Sequence, residues 1–210
     1  LGMCVYTHIP NIHFVYEARY KGAWVVCVAP DFSPSAIHVD EWVPVSVGTD
    51  AALALSMARV IVEEKLYRRD FLVEQTDMPL LVRLDDGRFL RASDLKPDGA
   101  DDRFFVFDSV AQRIVEAPRS NLELGTIAPA LEGVFEVETR EGTIRVTTVF
   151  EQLKARLADY TPEQTEAITG VKSSQVRALA RRIARANACS NISQTNFGKF
   201  YHGLEMERSI

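Results

Sequence analysis

The chain has 210 residues, 47% of them apolar, and a formal net charge of −5. That supports one large domain or two small ones with real cores, and the acidic balance, with Lys and Arg scattered apart from Arg181-Arg182, argues against a nucleic-acid binder. No run approaches the roughly 18 apolar residues of a membrane-spanning helix, and there is no signal-peptide pattern.

Leu1-Gly2 reads as the end of a truncated strand, followed by a loop over Met3 to Pro10. The start at Leu1 and the stop at Ile210 predict a piece cut from a longer protein. Ile12, Val15, Tyr16 and Tyr20 have helical spacing, and Lys21-Gly22 closes that helix. Ala23 to Val28 is a continuous apolar run, the pattern of a parallel strand covered on both faces. A second short strand is expected around Trp42-Val43. The Ala-rich stretch from Asp50 to Lys65 predicts a helix capped by Thr49 or Asp50, with Leu53, Met57, Val60 and Ile61 inward. A short helix follows over Arg69 to Gln75.

Leu80 to Asp94 then reads as a hairpin turning at Asp86-Gly87. Two further strand pairs are expected, Phe104–Phe107 with Arg113–Val115, and Val134–Val137 with Thr143–Val146 turning at Glu141-Gly142. Helices return at Thr148 to Tyr160 and at Thr161 to Gly170. The second carries a full set of boundary signals: Thr161 as N-cap, Pro162 first, Gln164 completing a capping box, Gly170 last. Ser173 or Ser174 caps another helix to about Ala186, and a strand over Ser190 to Thr195 leads into "NFGKFYHG". The chain is therefore expected to be α/β: a Rossmann-like parallel unit with its first strand truncated over 1–79, a β-hairpin-rich insertion over 80–146, and a helical segment and strand returning over 147–210.

In a βαβ unit, ligands sit at the carboxyl ends of the strands, with helix N-termini toward phosphates. An acid just past the second strand is placed to accept hydrogen bonds from ribose hydroxyls. Asp31 holds that position; the competing reading is that Pro30-Asp31 is simply a turn. Gly48-Thr49-Asp50 opens the next helix. It reads either as a cap with a carboxylate favouring the helix dipole, or as a contact in which the carboxylate accepts two N–H groups of a guanine edge. There is no GxGxxG, which counts against an ordinary NAD site, and no GxxxxGK[ST]. Cys4, Cys27 and Cys189 are far apart, and His8 and His13 do not share a helix face, so no metal ligand is assigned.

The stretch from Glu17 to Leu95, with "APDFSPS" and "VGTDAALAL" inside it, resembles catalytic subunits of the dimethyl sulfoxide reductase superfamily of molybdenum enzymes. The branch is that of respiratory nitrate reductase, nitrite oxidoreductase, the selenate, chlorate and perchlorate reductases, and ethylbenzene dehydrogenase. "DYTPEQTEAITGVKSSQVRALARRIA" and "GKFYHGLEMERSI" are similar to later segments of the same subunits, in the same order. The resemblance implies a molybdenum bis(molybdopterin guanine dinucleotide) cofactor, with a 4Fe-4S cluster in a part upstream of Leu1.

It also implies nucleotide contacts in three places: the loop from Gly2 to Thr7; Ala29, Pro30, Asp31, Phe32 and Ser33; and Gly48, Thr49 and Asp50. Lys199, Tyr201 and His202 match a segment that approaches the metal, where a cation would stabilise an anionic substrate or developing negative charge. Lys199 and His202 are thus candidate catalytic residues, with an ordinary surface lysine the competing reading for Lys199. Two departures stand out. The family's Trp-Gly-x-Asn loop is replaced by Leu1-Gly2-Met3-Cys4, and Pro10-Asn11-Ile12-His13 lacks a family carboxylate.

The function implied is oxygen-atom transfer or hydroxylation in anaerobic respiration, on nitrate, nitrite, a chlorine or selenium oxyanion or a hydrocarbon. An iron-sulfur electron-transfer subunit is the expected partner and the periplasm the expected location, with a cytoplasmic membrane-associated enzyme as the alternative. A plain Rossmann-type nucleotide-binding module and a degenerate structural subunit are the competing readings.

Overall fold

A computed structural model of the chain describes residues 9–118 and 123–191. The elements, in order, are α1 (Ile9–Tyr20), β1 (Val26–Val28), α2 (Pro34–Ile37), β2 (Glu41–Val43), α3 (Asp50–Glu63), α4 (Arg69–Gln75), β3 (Leu81–Arg83), α5 (Ala92–Leu95), β4 (Phe105–Asp108), β5 (Arg113–Glu116), β6 (Val134–Thr139), β7 (Gly142–Thr148), α6 (Val149–Leu157), α7 (Pro162–Thr169) and α8 (Ser173–Arg185). They divide into two units. One is built from residues up to Leu66 together with those from Leu157 on; the other is Tyr67–Arg156. The truncated strand at Leu1-Gly2 lies outside the described residues, as does most of the strand expected over 190–195; Ser190 and Asn191 have no regular structure.

The first unit is α/β. Helix α1 ends where expected: Gly22 takes φ +93°, and Ala23 N–H donates back to Ala18 O at 3.0 Å. Strands β1 and β2 pair in parallel, Cys27 opposite Trp42 and Val28 opposite Val43, with α2 in the crossover. Strand β1 is shorter than the apolar run from Ala23. Trp24 is half exposed beneath the Arg182 guanidinium, 4.0 Å from the ring centroid, and Val25 N–H donates to Asp40 Oδ2 at 2.8 Å. Helices α3, α7 and α8 pack with the strand pair around Val43, Val45, Leu53, Val171, Val176 and Leu179, with Val26, Val28 and Met57 against them. The inward stripe of α3 is graded: Leu53 and Val60 are buried, Met57 and Ile61 half-buried.

Helix α7 begins and ends as its sequence dictates. The N–H of Gln164 donates to the Thr161 hydroxyl, Pro162 occupies the first turn, and Gly170 adopts the left-handed conformation at φ +74°. Helix α8 departs from expectation. Its N-cap is Lys172, and neither Ser173 nor Ser174 caps it; the N–H of Ser173, already helical, donates to Glu166 Oε2 at 2.8 Å. An acid from the preceding helix does the work a serine hydroxyl was expected to do.

The second unit is β-rich. Strands β6 and β7 form a hairpin from Val134↔Thr147 to Thr139↔Gly142, and β3 joins the far side of β7 to make an antiparallel β3-β7-β6 sheet. The β4–β5 hairpin is separate. The turn at Asp86-Gly87 forms, with Arg83 N–H donating to Arg88 O at 2.8 Å. Its return leg, however, is reduced to a single bridge, Val82↔Phe89, because the main partner of β3 is β7. Leu81, Leu90, Val137 and Val146 form the core, and Phe107 stacks on Phe135 at 3.8 Å. Arg83 is buried and held by Asp85 (2.8 and 3.1 Å) and Asp94 (2.7 Å).

Candidate functional site

Two parallel strands that hydrogen-bond to each other run in the same direction, so the loops leaving their carboxyl ends issue on one edge. After β1 come Ala29, Pro30, Asp31, Phe32 and Ser33; after β2, Pro44 to Thr49 lead into α3 at Asp50. The residues singled out from the sequence in these two loops therefore share one edge of the β1–β2 pair. Gly2, Thr7, Lys199, Tyr201 and His202 lie outside the described residues.

The first loop is held by its backbone, and it leaves two side chains outward. Ala29 N–H donates to Val43 O at 3.1 Å, extending the parallel ladder by one residue. Ser33 N–H donates to Asp31 O at 3.0 Å, and Ala36 N–H to Ser33 O at 2.8 Å, folding the loop into α2. Asp31 is exposed, and Phe32 is 60% exposed.

The second loop turns at Gly48, whose φ of +81° is the left-handed region that side chains disfavour. Nothing lies within 4 Å of where its Cβ would be, so conformation alone demands glycine there. Thr49 is the N-cap residue of α3 but not a side-chain cap. Its hydroxyl donates to Ser46 O at 2.8 Å and its N–H to the same oxygen at 3.2 Å, which tightens the turn instead. The helix gives the N–H groups of its first turn no acceptor of its own, and Asp50 sits in that turn.

The opposite edge of the pair carries a different kind of acid. Asp40 accepts from Val25 N–H and from Arg19 Nε at 3.0 Å, and these two bonds, the backbone one first, hold its carboxyl below the usual range. That carboxylate fixes the fold.

Residues that sequence reasoning passed over set both loops in place. The indole N–H of Trp42 donates to Ala29 O at 3.0 Å. Ser46 N–H donates to Thr169 O at 2.8 Å, from the last turn of α7. Gln175 on α8 donates to Trp42 O (3.1 Å) and Glu41 Oε1 (3.0 Å). Thr165 Oγ1 bonds Ser56 Oγ at 2.9 Å, joining α7 to α3 in the core. The α7 cap at Thr161 was readable locally; these long-range partners had no local signal.

Among the described residues no group of three or more His, Cys, Asp or Glu could hold a metal ion. In the second unit, a groove of about 330 Å³ is lined by Val73, Leu80, Phe104 and Val106 together with the acids Glu74, Asp77 and Asp102. None of the sequence-derived candidates among the described residues lines it.

No protein-family model matches the chain. It is 47% identical over 210 residues to chlorate reductase subunit alpha of Ideonella dechloratans, covering 97% of this chain and 22% of that one. It is 47% identical over 206 residues to dimethylsulfide dehydrogenase subunit alpha of Rhodovulum sulfidophilum, covering 95% and 22%. Among solved structures, acetylene hydratase from Pelobacter acetylenicus superposes with a TM-score of 0.57 at 18% identity, covering 96% of this chain and 18% of that one. At that identity the likeness is one of fold. The chain spans about a fifth of the length of the curated relatives it matches.

Proposed function

Since this chain belongs to the dimethyl sulfoxide reductase superfamily of molybdenum enzymes, on the branch of the chlorate, perchlorate, nitrate and dimethylsulfide alpha subunits, we propose that it forms the nucleotide-anchoring part of an oxidoreductase catalytic subunit. The observation that carries this is the shared edge: the Asp31 loop and the Gly48-Asp50 loop leave the carboxyl ends of two adjacent parallel strands.

The chemistry of that edge suits a guanine dinucleotide tail. Asp31 is an exposed acceptor for ribose hydroxyls. The Asp50 carboxylate can accept from a guanine edge, and first-turn N–H groups of α3 can donate to phosphate. Gly48 lets the backbone bend close beside them, with Ala29, Pro30, Phe32, Ser33 and Thr49 completing the two walls. The family resemblance implies further nucleotide contacts from Gly2 and Thr7 and a catalytic role for Lys199 and His202, all outside the described residues. The group held there is molybdenum bis(molybdopterin guanine dinucleotide), which supplies oxygen-atom transfer or hydroxylation, its electrons passing by a 4Fe-4S cluster to an iron-sulfur subunit. We place the subunit's respiratory role in the periplasm, with a cytoplasmic membrane-associated enzyme as the alternative; among the described residues no helix is long and apolar enough to cross a membrane.

The test is composition. The subunit carrying this chain, matured in a host that makes the cofactor, is analysed for molybdenum and for guanine nucleotide released by acid. Both are expected in fixed ratio, and both fall in Asp31→Ala and Asp50→Ala. Molybdenum near zero in the correctly matured protein would instead make it a degenerate structural subunit. Thermal protection by NAD with no molybdenum would make it a plain nucleotide-binding module.

A further inference from the structure

Trp42 touches the first loop on both sides of Asp31. Its indole N–H donates to Ala29 O at 3.0 Å, and its ring meets Phe32 edge-on, with centroids 5.2 Å apart at 81°. Ala29 N–H is already held by Val43 O at 3.1 Å. Both polar groups of Ala29 are thus fixed by β2, and the residue after Asp31 is fixed by an aromatic contact to the same strand. Between these anchors stands Pro30, whose ring locks φ and leaves no N–H to compete. Trp42 is itself located from α8, since its carbonyl accepts from Gln175 Nε2, which also holds Glu41.

We infer that Trp42 is the positioning residue of the nucleotide loop: its indole pins the Ala29 carbonyl and the Phe32 ring so that Asp31 presents its carboxylate at a fixed place on the sheet edge. The inference rests on Asp31 being a nucleotide ligand. Tryptophan suits the task because it offers one donor on a rigid side chain with two rotatable bonds, so little freedom is lost in holding it. An Asp31 on an unpinned loop would have to be ordered each time the nucleotide bound.

The experiment uses the whole subunit, matured with cofactor, and measures guanine nucleotide retained per polypeptide in Trp42→Phe, Trp42→His and Asp31→Ala. Histidine Nε2 falls where the indole nitrogen lies and keeps a donor while losing the benzo ring; phenylalanine keeps a larger ring and has no donor. Trp42→Phe should retain about fivefold less nucleotide, the order of one net hydrogen bond, and Trp42→His should retain more than Trp42→Phe. That rescue separates positioning from packing, which ranks the two rings the other way. Should either variant not fold, benzothienylalanine at position 42, with sulfur in place of the N–H at nearly the same shape, is expected to show the same loss. Retention in Trp42→Phe equal to wild type, or above Trp42→His, overturns the role of Trp42 while Asp31→Ala remains depleted. Full retention in Asp31→Ala overturns the nucleotide reading itself.

Discussion

Ser46 N–H donates to Thr169 O at 2.8 Å, which ties the loop opening α3 to the closing turn of α7. That turn ends in Gly170 at φ +74°, and a Cβ added there would stand 3.4 Å from Ser46 Oγ. Gly170→Ala should therefore strain the backbone, with its Cβ only in ordinary contact with Ser46. The expected loss is about 1.5 kcal/mol, read as a lower melting temperature, with nucleotide retention falling as well.

Gly48→Ala isolates the conformational part, since nothing lies within 4 Å of its Cβ position. A loss of about 1–2 kcal/mol is expected, and Gly48→Asn should lose less, because asparagine visits the left-handed region more readily. Denaturant unfolding of the three proteins gives the order Gly, Asn, Ala. A Gly48→Ala protein as stable as wild type would contradict the φ assigned there.

Arg83 is buried among Asp85, Asp86, Asp94 and Glu141. Arg83→Met leaves those carboxylates facing one another and should cost about 2–3 kcal/mol. Arg83→Lys should recover only part of this, because a single ammonium cannot reproduce the two-pronged contact to Asp85. Thermal melts of the two variants should fall in that order; equal stability would mean the fork has no special role.

Acid should loosen the second unit through specific carboxylates. Asp108 accepts from the N–H groups of Val110, Ala111 and Ala128, the first being the strongest influence, and these hold its carboxyl below the ordinary value. The Arg83 guanidinium does the same for Asp85. A depressed folded value means the stabilisation is fully present above the unfolded value of about 3.9. It drains away as pH falls through the lower folded value. Melting temperature should thus drop below about pH 4, and Asp108→Asn, which keeps an acceptor and cannot titrate, should flatten that drop. An unchanged acid limb would remove Asp108 from the account.

What was legible in the sequence was local. The box at Thr161–Gln164, the stop at Gly170 and the turn at Lys21-Gly22 are set by neighbours within four residues, and the structure has them all. Ser173 misled because its N–H is satisfied from Glu166, and the leg after Asp86-Gly87 misled because β3 found a better partner in β7, far along the chain. The candidate loops were visible for the same reason the α7 boundaries were: Pro30-Asp31 and Gly48-Thr49-Asp50 are short local punctuation. Their anchors were not. Trp42 looked like any strand aromatic, and nothing in the spacing of Ser46 and Thr169 announces a bond between them.

The buried hydroxyl pair Ser56–Thr165 joins α3 to a helix that lies on the other side of the entire Tyr67–Arg156 unit in sequence. On a ribosome, the residues of this unit up to Leu66 emerge lacking the surfaces that will cover them, and they must wait while that inserted unit is made. Thr169, which moors the Ser46 turn, arrives later still. The Ser46 turn is therefore complete only once translation has passed Gly170.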